Sequence, residues 1–213
     1  MLETVLEGYA AVSDRWIERS EAIPAERMLQ PVLDLLPRPP GRAVDIGAGS
    51  GRDAAWLARQ GHRVTAIEPV ARLRCAGIEL HGALPIEWLD DRLPELTAVP
   101  AGSKFDLLLA NGVWQHLDAS QQRTAMRRLA ELAHEGATLV VSLRHGSGAA
   151  TRPVHEIDAS DTIRTARDAG FELIRERQAE SWQDANRAAG VYWTWLALRR
   201  ARALAASTKP VQA

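Results

Sequence analysis

The sequence predicts an α/β fold in which helices cover both faces of a mostly parallel sheet. Apolar runs of strand length alternate with amphipathic segments, a glycine-rich turn joins the first strand directly to a helix, and acidic residues follow successive strands. Repeated strand–helix–strand units produce parallel sheets because each crossover returns the chain to the same edge. The chain has 213 residues, of which 46% are hydrophobic, and this suffices for one sizeable core.

Helical segments are expected before the first strand. Apolar residues recur at helical spacing in residues 2–19 and again in residues 25–36. A proline-rich turn then breaks the chain. We expect residues 1–40 to form a helical lid on a core of residues 41–200, both within a single domain, and residues 201–213 to form a flexible tail.

Strands and helices alternate through the core. Asp118 and Gln121 form a candidate capping box at the start of one helix, and Gly136 is expected to end it. The predicted strands are 42–46, 62–68, 84–89, 105–110, 137–143, one starting at 171–175, and 191–198. The predicted helices are 51–60, 69–81, 121–134 and 160–169.

Composition excludes several classes of protein. The formal net charge is −1, so a basic surface for nucleic acid or an anionic membrane is not expected. Cys75 is the one cysteine, and it has no partner for an internal disulfide. The N-terminus is acidic, and no apolar run approaches the ~20 residues of a membrane helix. These features predict a cytoplasmic protein.

The most informative segment is the loop at residues 45–51, Asp-Ile-Gly-Ala-Gly-Ser-Gly, between the first strand and its helix. Glycines there let the backbone turn tightly and approach a ligand. A Walker loop would need Lys followed by Ser or Thr, and Arg52 follows instead. A dinucleotide loop would need its third glycine one residue later. Asp45 suits an ammonium group and would repel phosphates.

Polar residues also follow the next three strands. Glu68 ends the second strand, where a carboxylate beside the glycine loop could accept both hydroxyls of a ribose. Asp90 and Asp91 end the third strand, and Asn111 follows the fourth. Each could instead be a solvated strand end or a turn residue. Their occurrence at successive strand ends, on the edge where open α/β sheets bind ligands, favours a binding site.

Together these motifs resemble the class I S-adenosylmethionine-dependent methyltransferases, in particular small bacterial enzymes of the ubiquinone-biosynthesis-like branch. The resemblance runs from about residue 43 to 144 and more loosely to residue 198. It implies a Rossmann-like three-layer αβα sandwich with a mostly parallel seven-stranded sheet and an antiparallel last strand. It also implies that S-adenosylmethionine is the cofactor, that S-adenosylhomocysteine is the product, and that no metal takes part. The implied cofactor-binding residues are Tyr9, Asp45, Gly47, Gly49, Gly51, Arg52, Glu68, Asp90, Asp91 and Asn111.

Methyl transfer requires alignment, exclusion of water and, for some acceptors, removal of a proton. His116 is the first candidate base because it follows the fourth strand and titrates in a useful range. It could equally be a structural histidine. Arg144 and His145 end the fifth strand and could hold an anionic acceptor or act as a base. An aromatic acceptor pocket or plain core packing could each account for Trp16, Trp114, Trp182, Tyr192 and Trp193.

Three functions are compatible with these residues. Methyl transfer to a small-molecule acceptor on N, O, S or C is favoured, by a monomer or homodimer without nucleic-acid or membrane partners. A non-catalytic cofactor- or partner-binding module is the alternative, and the glycine spacing argues against an NAD(P)-dependent oxidoreductase. The motifs typical of DNA amino-methyltransferases and cytosine C5-methyltransferases are absent. His155, Glu156 and Asp158 lie too close together in a short, isolated run to form a convincing metal site.

Overall fold

The computed structural model describes residues 2–202, and these contain seven strands and eight α-helices. The predicted tail lies almost wholly outside the described residues. The strands are β1 (Arg42–Ile46), β2 (Arg63–Ile67), β3 (Ile86–Leu89), β4 (Phe105–Ala110), β5 (Ala133–His145), β6 (Phe171–Glu180) and β7 (Tyr192–Arg200). The helices are α1 (Leu2–Ala10), α2 (Ser13–Glu21), α3 (Ala25–Leu29), α4 (Arg52–Arg59), α5 (Ala71–Leu80), α6 (Ala119–Leu132), α7 (Ala159–Asp168) and α8 (Asp184–Ala188).

All seven strands form one sheet in the order β3-β2-β1-β4-β5-β7-β6. The pairings of β1 through β5 are parallel, and β7 runs antiparallel to both β5 and β6. The predicted mostly parallel sheet with an antiparallel last strand is therefore confirmed. The strand order reverses direction between β1 and β4, and this reversal is where open α/β sheets form a ligand crevice.

Central strands are apolar on both faces because helices cover both sides of the sheet. Buried apolar side chains form two clusters, one on each face of the sheet. In β4, Leu108 and Ala110 belong to the larger cluster, and Leu107 and Leu109 belong to the smaller one. Strand side chains alternate between faces, so a nearly continuous apolar run is what a doubly covered strand requires. The sequence predicted β1 and β4 with the observed bounds for this reason.

The N-terminal segments differ from the predicted helices. Residues 2–19 do not form one helix, because the chain turns between α1 and α2. Ser13 Oγ lies 3.0 Å from the carbonyl oxygens of both Tyr9 and Ala10, so its one proton is shared between two acceptors at the end of α1. The turn brings Tyr9 against Trp16 edge to face, with 5.0 Å between ring centroids.

Other boundaries were also predicted wrongly. The expected helix at residues 25–36 ends as α3 at Leu29, and Pro31, which lacks an N–H, follows before a single 3-10 turn at Leu33–Leu35. Gly136 does not end α6, because β5 has already begun at Ala133. Helix α8 was not expected. The capping box of Asp118 and Gln121 is confirmed at the start of α6.

Candidate methyl-donor and acceptor site

A cavity of about 320 Å³ lies at the carboxyl ends of the central strands, beside the reversal of strand order. Its volume falls within the roughly 300–1,000 Å³ of small-molecule sites. Helices α1 and α2 and residues 148–154 form part of its wall. The predicted site residues that line it are Tyr9, Asp45, Gly47, Gly49, Arg52, Glu68, Asn111, His116 and Arg144.

The glycine loop forms the floor of this cavity between β1 and α4. Backbone N–H groups of Gly47 and Ala48 donate to the Ile67 carbonyl at 2.8 Å and 2.9 Å, which ties the loop to β2. Gly47 and Gly49 have φ values of 72° and 60°, in the region that favours glycine. The side of Gly49 where a Cβ would stand faces Trp16, whose Nε1 would be 3.6 Å away. Gly49 therefore leaves space for a ligand.

Gly51 has a packing role and does not line the cavity, contrary to the prediction. A Cβ at Gly51 would lie 2.7 Å from the ring of Trp88. The same ring occupies the position of a Cβ at Gly77 on α5. The third glycine of the motif therefore makes room for close packing of Trp88 behind the loop.

Asp45 is a buried carboxylate with an unpartnered oxygen. Its side chain lies at the end of β1, the residue is 2% exposed, and Oδ2 has no hydrogen-bond partner among the described residues. Burial, followed by the negative charge of Asp53, raises the pKa of Asp45 well above its usual range. A cationic ligand would offset the cost of burying this negative charge, so Asp45 fits an ammonium group.

Glu68 closes the loop from the end of β2. Its Oε2 accepts from the Gly49 N–H and its Oε1 from the Val70 N–H, both at 2.8 Å. Burial raises the pKa of Glu68, and the two backbone donors oppose that effect only in part. A carboxylate has about four acceptor positions, so acceptor capacity is left for two ligand hydroxyls.

Arg52 is already neutralised by its neighbour. Its Nε and Nη2 donate to the two Asp53 oxygens at 2.7 Å and 2.9 Å. Asn111 Nδ2 also donates to Asp53 Oδ2 at 2.9 Å, and Ser142 Oγ donates to Asn111 Oδ1 at 2.9 Å. The sequence predicted neither Asp53 nor Ser142, because only the fold brings β4, β5 and α4 together here. Arg52 lines the cavity as the predicted cofactor-binding residue, but its charge is already balanced by Asp53.

His116 is held in one tautomer beside the cavity. Its Nδ1 lies 3.1 Å from the Pro153 carbonyl oxygen, which can only accept, so Nδ1 carries the proton. Nε2 is then the acceptor for the Tyr9 hydroxyl at 3.2 Å. Burial lowers the pKa of His116, and the charges of Arg144 and Arg152 lower it further. Burial also raises the pKa of Tyr9 to about 12. The pair is therefore neutral, with a basic nitrogen on the imidazole.

The remaining predicted polar residues do not reach the cavity. Asp90 is largely exposed and forms an ion pair with Arg74 at 2.7 Å. Asp91 accepts from the backbone N–H groups of Arg92 and Ala98 at 2.8 Å and 2.7 Å, as a turn residue does. Apolar residues of the same region line the cavity instead and were not predicted: Val70, Leu73, Leu93 and Leu117.

Alternation along β5 separates the two predicted residues at its end. Arg144 lines the cavity, whereas His145 faces the other side of the sheet and stacks on Tyr192 with 4.5 Å between centroids. His145 Nε2 also lies 2.9 Å from Thr194 Oγ1. Neither His145 nor Tyr192 belongs to the cavity wall.

The other tryptophans divide between wall and core. The side chains of Trp16, Trp182 and Trp193 line the cavity, as does Trp195, which the sequence did not single out. Trp114 is fully buried in the core cluster. Among residues 2–202 there is no group of three or more His, Cys, Asp or Glu residues that could hold a metal, and no helix is long and apolar enough to cross a membrane.

This strand order, with a glycine loop after β1 and buried carboxylates beside it, defines the class I methyltransferase fold. The chain belongs to the Methyltransferase domain family, whose sequence model matches residues 18–195. The predicted membership of this enzyme family is confirmed.

Relatives and solved structures agree with this family. An uncharacterised methyltransferase of Mycobacterium tuberculosis is 38% identical over 112 residues, which are 48% of this chain and 53% of the relative. The ubiquinone biosynthesis O-methyltransferase of Xanthomonas campestris is 28% identical over 159 residues, 70% of this chain and 64% of that one. The chain thus spans about half to two thirds of the length of these curated relatives.

The fold is also similar to a crystal structure of the 1,6-didemethyltoxoflavin-N1-methyltransferase of Burkholderia thailandensis. That structure was solved with 1,6-didemethyltoxoflavin and S-adenosylhomocysteine bound. The TM-score is 0.72 at 20% sequence identity, and the match covers 94% of this chain and 88% of the other. At this identity the similarity concerns the fold.

Proposed function

We propose that this chain binds S-adenosylmethionine in the cavity and transfers its methyl group to a small-molecule acceptor. The observation that carries the proposal is the pair of buried carboxylates, Asp45 and Glu68, on either side of the glycine loop. This arrangement suits a ligand with an ammonium group and a ribose. It would repel the pyrophosphate of NAD(P), which favours a methyltransferase over an oxidoreductase.

Each part of the cofactor has residues that fit it. Asp45 would bind the ammonium group through its unpartnered oxygen, and Glu68 would accept the ribose hydroxyls. Apolar residues Val70, Leu73 and Leu93 would cover the adenine. The bound cofactor supplies a methyl group that its sulfonium makes electrophilic. The small molecule bound by the Burkholderia neighbour supports a small acceptor here.

The residues beyond the glycine loop would serve the acceptor. We assign His116 as the base for a protic acceptor: Tyr9 gives its hydroxyl proton to Nε2 and takes the proton of the acceptor in its place. Because the pKa of His116 lies below its usual value, Nε2 is free of a proton at neutral pH. The Pro153 carbonyl would fix the ring while the proton arrives. Such a base favours catalysis over a purely binding role.

Calorimetry with S-adenosylhomocysteine and, separately, NADH tests the proposal. The wild type should bind only the first ligand. Asp45→Asn should weaken that binding by about 10–100-fold, because a charge-assisted contact is lost. The matched control is Asp168→Asn, which changes an exposed carboxylate on α7 remote from the cavity wall and should bind like the wild type. NADH binding, or no binding of either ligand, would refute the assignment.

A further inference from the structure

Three arginines line the cavity without a carboxylate partner. Arg144 donates Nη1 to the Gly146 carbonyl at 2.8 Å, and Arg152 lies over the Tyr9 ring at 5.1 Å. Arg19 donates to the neutral amide of Gln183. No ion pair joins any of the three to an acidic side chain within residues 2–202. By contrast Arg52 and Arg92, which also line the cavity, are paired with Asp53 and Glu3.

The cofactor alone cannot neutralise this charge. S-adenosylmethionine carries one carboxylate, and it brings an ammonium and a sulfonium as well. Its single negative charge can therefore neutralise at most one of the three guanidinium charges. Unpaired charges in a partly buried site are costly, so a second anion in the cavity is expected.

Arg144 differs from the other two arginines because it lies beside an aromatic side chain of the neighbouring strand. It lies directly opposite Trp193 in the antiparallel pairing of β5 and β7, so both side chains project from the same face of the sheet. The ring of Trp193 would be 3.7 Å from a Cβ at Gly112, just after β4. The indole of Trp193 thus lies within van der Waals distance of this position, beside the end of β4. Arg152, in contrast, approaches Trp16, which borders the glycine loop.

The surroundings of Arg144 agree with this position. Burial lowers the pKa of Arg144, and the positive charge of Arg152 adds to the effect. After burial, the charges of Arg144 and Arg152 contribute most to the lowered pKa of His116. The unpaired guanidinium, the indole and the basic imidazole therefore belong to one region of the cavity.

We propose that Arg144 and Trp193 form an acceptor subsite and that the methyl acceptor is a planar small molecule bearing an anionic group. The flat body of the molecule stacks on the indole of Trp193, and its anion pairs with the guanidinium of Arg144. This inference rests on the proposed methyltransferase function, because it assigns the second half of the same cavity.

Binding to protein saturated with S-adenosylhomocysteine tests the subsite. The probes are benzoate and 2-naphthoate, their neutral amides, and cyclohexanecarboxylate, which is anionic but not planar. We expect the aromatic carboxylates to bind and to change tryptophan fluorescence. Their amides and cyclohexanecarboxylate should each bind at least about tenfold more weakly. Equal binding of carboxylates and amides, or no binding of any aromatic carboxylate at millimolar concentration, would overturn the proposal.

Variants separate this inference from the cofactor assignment. Arg144→Gln should abolish the preference for carboxylates over amides and leave the affinity for S-adenosylhomocysteine within about twofold of wild type. Trp193→Leu should weaken both naphthyl probes, and Trp193→Phe should restore them. Arg127→Gln, on the exposed face of α6, is the matched control. If Arg144→Gln instead weakens S-adenosylhomocysteine tenfold, Arg144 binds the cofactor and the subsite is refuted. If wild type fails to bind S-adenosylhomocysteine, the proposed function itself fails.

Discussion

Asp45 shows how a single residue can be unfavourable for folding and favourable for binding. The carboxylate is buried with Asp53 and Glu68 nearby, and its unpartnered oxygen gains nothing until a cation arrives. Buried groups of this kind concentrate at functional sites. Asp45 therefore indicates a positively charged ligand, whereas the glycines indicate only that a ligand can approach the backbone closely.

The stability of the ligand-free protein should respond to pH through Asp45. Because the folded-state pKa is raised, the contribution of Asp45 is fully present below its unfolded pKa of about 3.9 and is lost as the pH rises through the folded value. Asp45→Asn removes this dependence, so the stability of the variant relative to wild type should rise as the pH increases from about 4 through the folded-state pKa of Asp45. The rise should be about 1.4 kcal/mol for each pH unit between the unfolded and folded pKa values. Urea unfolding at several pH values measures this. A constant difference across that range would show that Asp45 titrates normally.

His116 gives the opposite pH dependence. Its folded-state pKa is lowered, so its contribution to stability is present above about pH 6.5 and is lost as the pH falls through the folded value. Titration of the imidazole by NMR should therefore show a midpoint below about 6.5. Tyr9→Phe should raise that midpoint, because the hydroxyl stabilises the neutral ring by donating to Nε2. The resonance is assigned by its loss in His116→Gln. A midpoint unaffected by Tyr9→Phe would mean that the hydrogen bond does not form.

At the scale of elements, the two glycines of the loop between β1 and α4 have different roles, one in packing and one in ligand binding. A Cβ at Gly47 would overlap the Val113 side chain, whereas a Cβ at Gly49 would meet nothing closer than Trp16 Nε1 at 3.6 Å. Both glycines have a positive φ, which costs another residue about 1–2 kcal/mol. Substitution should therefore destabilise the fold more at Gly47 than at Gly49, although both are glycines of the same motif.

Gly47→Ala and Gly49→Ala form a matched pair that checks this difference. We expect Gly47→Ala to lower the free energy of unfolding by about 1–3 kcal/mol more than Gly49→Ala, because of the added overlap. Gly49→Ala should instead lose most of its affinity for S-adenosylhomocysteine while it remains folded at 25 °C. Denaturant unfolding and calorimetry on both variants measure the two effects. Equal loss of stability in the two variants would contradict the assigned roles.

The elements that the sequence predicted well are those fixed by local signals. Strand β4 is a continuous apolar run, and Asp118 with Gln121 specifies the start of α6 within one turn. The break between α1 and α2 could not be predicted, because the hydrogen bonds of Ser13 to the end of α1 leave no signal in the apolar spacing of the segment. The early start of β5 at Ala133 depends on pairing with Phe105, which is distant in the chain.

The candidate site divides in the same way. Asp45 and Glu68 could be predicted because each ends a strand next to the glycine loop. The effect of the Asp53 charge on Asp45, the hydrogen bond of Ser142 to Asn111 and the place of Trp195 in the cavity wall could not, since each depends on contacts between elements that only the fold creates. The sequence also could not decide which of Arg144 and His145 faces the cavity, because that depends on the register of β5 and β7.

At the scale of the whole molecule, the cavity lies between the well-packed sheet and the helices α1 and α2, which we call the cover. The described residues of α1 and α2 include only three that are buried, Val5, Gly8 and Ser13, whereas β1, β4 and β5 supply much of the core. Gly8 lets α1 approach the backbone of Thr151 closely, so the helix meets the segment that carries Arg152. Few buried contacts hold the cover, so it should open at lower free energy than the sheet.

Hydrogen exchange should therefore locate the effect of ligand in the cover. S-adenosylhomocysteine at about 100 times its dissociation constant should stabilise the protein by about 2.7 kcal/mol. If the ligand lies against Trp16 and the glycine loop, amides of α1 and α2 should exchange up to about 100-fold more slowly, because opening of the cover then requires release of the ligand. Amides of β4, which are exposed only by global unfolding, should slow by the same factor. Asp45→Asn, measured at the same ligand concentration, should show a smaller effect in both regions. Slower exchange in β4 with unchanged exchange in α1 and α2 would mean that the ligand binds without contact to these helices, and the prediction that they form a lid would then be wrong.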